Sequence, residues 1–387
     1  MITQNVKNDT PYYVIIGPAH PLRGGLAAFN ERMARALLAR GHRVKIITFS
    51  LQYPSFLFPG KSQITDAAAP NDLDIEVLIN SINPISWWQT GRYIAKLRPD
   101  IVICRFWLPF MGPALGSVLR LVRRNTHSRI IGLIDNIIPH EKRIGDHFLA
   151  QYFVGACHRF VVLARAVEAE MKQFTTPEQT IAYTPHPIYD HYGGGSSRRA
   201  ALQHLGLPES GRYVLFFGFV RKYKGLDLLL NALADKQLAK LGVRLIVAGE
   251  FYEDEANYRQ IIANLGISDG VTLFSDYISD DEVGVYFSAA DLVVQPYRTA
   301  TQSGISQIAY HFGKPMVVTN VGGLPEIVPH GKAGYVVAPE PADIAAAIAD
   351  FFENHRAAEL SIGVIEQQKR FSWDTFCEVV EQLGEIR

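Results

Sequence analysis

The segment from Thr299 to Glu326 contains a helix start that could bind a phosphate group. Ser303 and Gly304 precede apolar residues at helical spacing, so the backbone N–H groups of Ser303, Gly304 and Ile305 are expected to lack partners within the helix. The positive end of the helix dipole favours an anion there, and Gly304 has no side chain to keep a ligand away. An ordinary helix cap has the same residue types, so this segment alone leaves both interpretations open.

This helix start belongs to a longer alternation of apolar runs and helical patterns. Gly313, Lys314 and Pro315 end the predicted helix, and an apolar run follows as a buried strand. The predicted strands are 12–16, 42–48, 101–104, 130–134 and 160–163 in the first half, and 213–217, 245–250, 271–274, 290–294 and 316–318 in the second. Such an alternation predicts an α/β fold with two Rossmann-like domains that face each other.

The length of 387 residues also favours two domains, because one hydrophobic core seldom supports so long a chain. A stretch rich in Gly and Ser at 189–199 has the composition of a linker. The expected domains are therefore residues 1–190 and 191–371. The last predicted helix, 373–383, is long enough to cross back, so residues 372–387 are expected to pack on the first domain.

The formal net charge is zero, but the two halves of the chain differ in sign. Residues 1–190 contain 21 Lys and Arg against 14 Asp and Glu, and residues 191–387 contain 17 against 24. The basic half could face an anionic surface or substrate, or it could simply be solvated. No nucleic-acid-binding motif is present, and the basic residues do not alternate with aromatic ones, so nucleic acid is not an expected partner.

The cysteines and the apolar segments indicate the compartment. Cys104, Cys157 and Cys377 lie far apart without a CxxC spacing, which argues against zinc and favours a reducing cytoplasm. The sequence has no signal-peptide pattern and no apolar run long enough to cross a bilayer. Residues 107–124 are first apolar and then basic. They could form a helix on a membrane surface or a core helix with a charged last turn.

Two loops in the first half follow predicted strands at the edge where such sheets bind ligands. The loop after residue 16 contains Gly24 and Gly25, but its spacing differs from GxGxxG, which argues against a dinucleotide cofactor. Asp135 begins a polar loop that also contains His140. The irregular segment 50–74 is long enough to cover a substrate.

Six short motifs occur in the order typical of one enzyme family. They are Arg23-Gly24-Gly25, Gly41-His42-Arg43-Val44, Arg221 and Lys224-Gly225, Ala289-Ala290-Asp291, Gly313-Lys314-Pro315, and Gly322-Gly323-Leu324-Pro325-Glu326. With these motifs the chain resembles the retaining glycosyltransferases of family 4, which have the GT-B fold. The resemblance covers nearly the whole length.

The resemblance implies that the second half binds a nucleotide diphosphate sugar and that the first half binds an acceptor. Arg221 and Lys224 are then expected to stabilise the charge that develops on the leaving diphosphate. Gly24 and Gly25 are expected to approach the phosphates or the sugar. The remaining expected donor contacts are Gly218, Glu250, Phe251, Tyr277, Ile278, Gln302, Ser303, Gly304, Ile305 and Gln307.

No metal and no cofactor are expected on this basis. Members of this family use side chains where other transferases use a divalent ion. The sequence has no DxD motif in a suitable loop, since the pairs at 72–74 and at Asp280-Asp281 are expected to lie in surface turns.

The chain departs from the family pattern at two places. The usual E-x7-E glutamates are replaced by Ala300 and Ile308, or by Thr301 and Ala309 in the other alignment register. Gln302, Ser303 and Gln307 are the neutral polar residues available instead. In the first half, Asp135-Asn136 stands where relatives often have a histidine beside an acidic residue. His140 could reach the sugar from the same loop or be structural.

The sequence therefore predicts a retaining glycosyltransferase that acts in the synthesis of cell-surface polysaccharide or glycolipid. Its predicted partners are a nucleotide sugar and a sugar or lipid-linked acceptor. The predicted location is the cytoplasm, with or without peripheral contact with the inner face of the membrane. The missing glutamates keep two alternatives open: a catalytically silent scaffold that binds nucleotide sugar, and a GT-B epimerase or phosphorylase.

Overall fold

The structure is a computed structural model that describes residues 10–54, 62–65, 68–139, 143–190, 192–300 and 303–385. The chain divides into unit 1, which comprises Met1–Pro185 and Trp373–Arg387, and unit 2, which comprises His186–Ser372. The first boundary lies at Pro185 instead of residue 190. The segment after Pro185 belongs to unit 2, where the Ile188 N–H donates to the carbonyl of Phe371.

Unit 1 is built on seven parallel strands. These are β1 (Tyr12–Ile16), β2 (Arg43–Leu51), β3 (Ile75–Asn80), β4 (Ile101–Phe106), β5 (Arg129–Ile134), β6 (Arg159–Val162) and β7 (Thr180–Tyr183). Their order in the sheet is β3-β2-β1-β4-β5-β6-β7. The intervening helices are α1 (Gly25–Ala39), α2 (Pro84–Leu97), α3 (Gly112–Arg123), α4 (Asp146–Val154) and α5 (Arg165–Met171). The central strands β4, β5 and β6 are almost entirely buried, as their apolar sequences predict.

Unit 2 repeats this architecture with six parallel strands. These are β8 (Arg212–Phe217), β9 (Val243–Ala248), β10 (Val271–Phe274), β11 (Leu292–Gln295), β12 (Met316–Thr319) and β13 (Gly334–Val337), in the order β10-β9-β8-β11-β12-β13. Its helices are α6 (Arg198–His204), α7 (Leu226–Leu233), α8 (Lys236–Leu241), α9 (Glu255–Leu265), α10 (Asp280–Ala289), α11 (Gly304–His311), α12 (Leu324–Ile327), α13 (Pro341–Glu353) and α14 (Ala357–Gln368). The predicted fold of two Rossmann-like sheets is confirmed.

The structure corrects the sequence prediction at the sheet edges and at one helix. Strands β3, β7 and β13 were not predicted, and each is an edge strand of its sheet. An edge strand is covered less completely than a central one, so it needs no continuous apolar run. Asp280 and Asp281 do not lie in a surface turn. Together with Glu282 they form the first turn of α10, where carboxylates favour the positive end of the helix dipole.

The last helix, α15 (Trp373–Glu385), packs on α1 within unit 1. The ring of Phe29 lies 5.0 Å from that of Trp373 and 5.6 Å from that of Phe376, measured between centroids. At the far end of the contact, Arg40 donates two hydrogen bonds of 2.7 Å to the carboxylate of Glu381. This carboxylate lies 2.7 Å from His42 Nε2. An apolar contact and an ion pair thus hold the helix.

We expect Glu381→Gln to lower the free energy of unfolding of unit 1 by about 1 kcal/mol at pH 7. The hydrogen bonds from Arg40 are the main cause that lowers the pKa of Glu381. A carboxyl group with a lowered pKa stabilises the fold above its unfolded pKa, and this contribution is lost as the pH falls through the folded value. The difference between variant and wild type should therefore shrink below about pH 4.

The measurement is urea unfolding followed by tryptophan fluorescence, because all four tryptophans, Trp87, Trp88, Trp107 and Trp373, belong to unit 1. Glu378→Gln is the matched control, since Glu378 is an exposed residue of the same helix. An equal loss in both variants would contradict the role of the Arg40–Glu381 pair.

Candidate functional site in unit 2

The carboxyl ends of β8 and β11 bring three predicted site residues into contact. Gly218 follows β8 with a φ of +91°, and a Cβ atom at this position would lie 3.1 Å from Lys224 Nζ and 3.2 Å from Ile305 Cδ1. Gly218 therefore lies directly between the basic turn after β8 and the start of α11. Because a side chain would both strain the backbone and push these groups away, glycine suits this position.

Lys224 is a buried lysine whose ammonium group has no partner among the described residues. The residue is 8% exposed, and no described residue accepts a hydrogen bond from Nζ or forms an ion pair with it. Burial and, next, the positive charge of Arg221 lower the pKa of Lys224 to about 7. A buried cation is costly unless an anion compensates it. This site is therefore suited to a negatively charged ligand.

Two contacts fix the turn that carries Lys224. The turn Lys222–Lys224 ends at Gly225, where a Cβ atom would lie 2.1 Å from the carbonyl oxygen of Pro296, just after β11. Arg298, two residues further along, binds Asp227 through both guanidinium arms at 2.7 and 2.6 Å. These contacts tie the loop after β11 to the turn after β8. The position of the ammonium group is thus determined by backbone packing as well as by burial.

The start of α11 has the properties expected of an anion site. Ser303 precedes the helix, but its side chain does not cap it; Ser303 Oγ lies 3.3 Å from Tyr297 Oη. Within the described part of the chain, the N–H groups of Gly304 and Ile305 have no acceptor. They remain available to a ligand beside Lys224.

Gln307 is another buried polar residue near the start of α11. It is fully buried, and neither its amide oxygen nor its amide nitrogen has a partner among the described residues. An unsatisfied buried polar group costs about 1–3 kcal/mol. The alternative positions for the usual glutamates, Ile308 and Ala309, are buried apolar residues of the same helix. Gln307 is thus the polar side chain on α11 that a ligand would satisfy.

Arg221 lies at the exposed side of the same turn. Its guanidinium group stacks on the ring of Tyr252 at 4.6 Å, and the ring of Phe219 lies 4.6 Å from that of Tyr252. The backbone of Val220 pairs with the segment after β9, where its N–H donates to the carbonyl of Glu250. The structure therefore brings the predicted residues Glu250 and Phe251 beside the basic turn.

The remaining predicted site residues belong to other elements or fall outside the described residues. Tyr277 and Ile278 follow β10, the edge strand next to β9, and Tyr277 is exposed. Gln302 and His140 lie outside the described residues. Gly24 and Gly25 begin α1 in unit 1, where Gly24 has a φ of +102°.

Asp135, which was predicted as a catalytic residue, lies directly after β5 of unit 1. It is buried, and both of its carboxylate oxygens accept hydrogen bonds from Arg105. Its predicted catalytic role stays a prediction.

Sequence reasoning missed several aromatic residues that shape the site in unit 2. The centroid of the Tyr297 ring lies 5.8 Å from Lys224 Nζ, and a Cβ atom on Gly304 would lie 3.0 Å from Cε2 of Tyr189. Tyr189 was placed in a linker because the residues after it are rich in glycine. No periodicity in the sequence signals these contacts, since the partners are far apart along the chain.

Comparison with known proteins identifies the family. The sequence profile described as Glycosyltransferase Family 4 matches residues 23–191, and the profile described as Glycosyl transferases group 1 matches residues 197–370. This chain belongs to glycosyltransferase family 4. It has the GT-B fold, and the two profiles correspond closely to the two units of the structure.

Curated relatives of this family 4 protein match it in part. A D-inositol 3-phosphate glycosyltransferase of Segniliparus rotundus is 35% identical over 185 residues, which are 46% of this chain and 40% of the relative. D-inositol 3-phosphate glycosyltransferase 2 of Catenulispora acidiphila is 28% identical over 229 residues, 54% of this chain and 53% of the relative. The chain thus spans about half the length of these relatives, or less. An uncharacterised glycosyltransferase of Methanocaldococcus jannaschii is 23% identical over 92% of both chains.

Solved structures share the fold over nearly the whole chain. The sucrose-phosphate synthase of Thermosynechococcus elongatus has a TM-score of 0.74 at 18% identity, with 96% of this chain and 98% of that chain covered. HepE of Anabaena, solved in complex with UDP-glucose, has a TM-score of 0.69 at 19% identity, with 97% and 100% covered. At such identities the likeness shows the fold alone.

We expect Lys224→Met to stabilise unit 2 by about 1–2 kcal/mol at pH 6. Below a pKa of about 7, the folded chain carries the full cost of the buried charge. Between this value and the higher pKa of an unfolded lysine, the unfolded chain binds more protons, so the wild type gains stability as the pH rises. The advantage of the variant should accordingly decrease from pH 6 to pH 9.

Differential scanning calorimetry across this pH range measures the effect. Lys222→Met is the matched control, because Lys222 is an exposed lysine of the same turn. Its substitution should change stability little at any pH. A destabilising Lys224→Met substitution would mean that a partner for the ammonium group exists within the protein.

Proposed function

We propose that this glycosyltransferase moves a sugar from a nucleotide diphosphate sugar to a hydroxyl group of its acceptor, with retention of anomeric configuration. The observation that carries the donor assignment is the buried ammonium group of Lys224, which lies against Gly218 and the uncapped start of α11. A diphosphate is an anion that could pair with all of these groups at once. The complex of HepE with UDP-glucose, in the same fold, supports a nucleotide sugar as the donor.

In this proposal the positive groups act on the leaving diphosphate. Negative charge grows on the leaving oxygen as the glycosidic bond breaks, and groups already aimed at it lower the barrier. Lys224 supplies a fixed cation, Arg221 a second cation at the exposed side, and α11 its N–H groups. These fixed charges serve where other transferases use a divalent ion, so we propose a metal-independent reaction. The retaining outcome is proposed from the family resemblance.

We propose that Gln307 binds the donor in place of the missing glutamates. Both of its amide atoms are buried and lack partners in the described part of the chain. A neutral amide can donate and accept hydrogen bonds to ribose hydroxyl groups, but it lacks the charge that strengthens a carboxylate bond. Glu250, Phe251, Tyr277 and Ile278 remain the proposed base region. Unit 1 remains the proposed acceptor-binding domain, and Gly24 and Gly25 are proposed to approach the phosphates or the sugar of the donor.

Donor turnover with a panel of nucleotide sugars and candidate acceptors tests this function. We expect Lys224→Met to lower kcat/KM about 100-fold or more, because an interaction with the leaving group is removed. Lys222→Met should leave kcat/KM unchanged. Product analysis should give a glycoside whose anomeric configuration is that of the donor.

The alternatives give different results in the same assay. Donor binding by calorimetry without turnover on any acceptor would favour a silent scaffold, which the loss of the glutamate pair motivates. A product formed from donor alone, or only with free phosphate, would favour an epimerase or a phosphorylase. Unchanged activity of Lys224→Met would contradict the proposed phosphate role.

We also propose that the acceptor is a sugar or a lipid-linked molecule used in the synthesis of cell-surface polysaccharide or glycolipid.

We further propose that unit 1 contacts an anionic membrane surface from the cytoplasm. Helix α2 exposes Ile85 and Trp88, which are 65% and 51% accessible, and Arg92 stacks on the Trp88 ring at 4.7 Å. Neither α2 nor α3 contains an acidic residue, and each has basic residues in its second half. Exposed apolar side chains beside cations are the combination that binds anionic lipid. No helix in the described ranges is long and apolar enough to span a membrane.

Co-sedimentation with vesicles tests the membrane contact. The double variant Ile85→Ser with Trp88→Ser should reduce binding to vesicles that contain phosphatidylglycerol by about tenfold. The matched control is Ile362→Ser with Ile365→Ser, which removes two exposed apolar residues from α14 of unit 2. Equal binding of wild type and both variants, or binding to neutral phosphatidylcholine alone, would contradict the proposal.

A further inference from the structure

A buried polar cluster lies at the carboxyl ends of β4 and β5 in unit 1. Arg105, the fifth residue of β4, is 1% exposed. Its Nε and Nη2 atoms donate to the two carboxylate oxygens of Asp135, each at 2.7 Å. This two-armed pair joins neighbouring strands. Removing both groups from water is costly, so the cluster requires geometry that satisfies them inside the protein.

The other side of the Arg105 guanidinium group is turned towards the first turns of α1. Its Nη1 atom lies 3.3 Å from Asn30 Oδ1 and 3.4 Å from the carbonyl oxygen of Leu26. The guanidinium carbon lies 4.2 Å from the centre of the Phe29 ring. Arg105 therefore contacts α1 through hydrogen bonds and through stacking on an aromatic face.

Asn30 extends the cluster to the loop that precedes α1. It is fully buried, and its Nδ2 atom donates to the carbonyl oxygen of Pro18 at 2.8 Å. A Cβ atom on Gly17 would lie 2.5 Å from this same Nδ2 atom. The path from Asp135 through Arg105 and Asn30 thus reaches both ends of the segment that contains Gly24 and Gly25.

We propose that Arg105 and Asp135 are positioning residues that hold the Gly24-Gly25 loop and the start of α1 in place for the reaction. The planar guanidinium group can bind Asp135 with two arms and still donate to Asn30 with the third, which a lysine cannot do. Both oxygens of Asp135 are engaged in this pair, so Asp135 acts through Arg105. The part of the inference that concerns the reaction rests on the proposed function.

A double-variant cycle of Arg105→Lys and Asp135→Asn tests the inference. Each substitution should lower kcat/KM for the nucleotide sugar by about tenfold or more, because displacement of a site by about 1 Å can cost up to about a hundredfold. The pH profile of kcat should keep its shape. The kcat/KM of the double variant should be about equal to that of the more impaired single variant, because both substitutions break the same pair. Effects that multiply, or the loss of one limb of the pH profile in Asp135→Asn, would overturn the positioning role.

Hydrogen–deuterium exchange of the peptide that covers residues 17–30 gives a readout independent of activity. Both variants should speed its exchange about tenfold or more. The control is Arg35→Lys, which breaks another two-armed pair on α1, formed with Asp72 at 2.6 and 3.2 Å. It should change neither exchange at 17–30 nor kcat/KM. If Arg105→Lys does not fold, Asp135→Asn decides by the same two measurements.

The two readouts separate the two proposals. One outcome is that both variants exchange faster at 17–30 while the wild type transfers no sugar to any acceptor. This result would support the structural role of the pair and refute the proposed function. Unchanged exchange at 17–30 in both variants would overturn the inference, whatever the activity of the wild type.

Discussion

The site in unit 2 depends on one unfavourable interaction, the burial of Lys224 without a hydrogen-bond or ion-pair partner among the described residues. Burial of a cation disfavours its charged form, which is why the pKa of Lys224 falls to about 7. A protein selected for stability alone would have an apolar residue here. The cost is consistent with a site prepared for an anion, since the groups that would bind the ligand are already in place before it arrives.

The surrounding structure keeps this charge in position. Gly218 and Gly225 allow the turn after β8 to approach the end of β11 and the start of α11 more closely than any other residue would. The Arg298–Asp227 pair ties the same two loops together from the outside. In unit 1, Arg105 and Asp135 hold the loop before α1 in a comparable way. In both units, polar groups at the strand ends orient a glycine-containing loop beside a helix start.

The sequence predictions succeeded for features set by neighbouring residues and failed for features set by residues distant along the chain. Central strands such as β4 and β8 were predicted because a strand buried on both faces must be apolar along its length. The edge strands β3, β7 and β13 were missed because they are less completely covered. Among the site residues, Lys224, Gly218 and Ile305 were predicted and lie together. Gln307 was predicted as one of several substitutes, and it is distinguished by its burial without partners in the part of the chain that the structure describes.

The sequence by itself determined the two α/β sheets, the glycine turns and the presence of a basic turn near a helix start. These features depend on local backbone preference and on the spacing of apolar residues. Both can be read from short stretches of the sequence. Only the tertiary structure decided that Lys224 is buried with no partner in the described ranges, that Gln307 is buried, and that Asp135 is bound by Arg105. These properties depend on contacts between residues distant in the chain, and the cost of burying a charge is set by what folds around it.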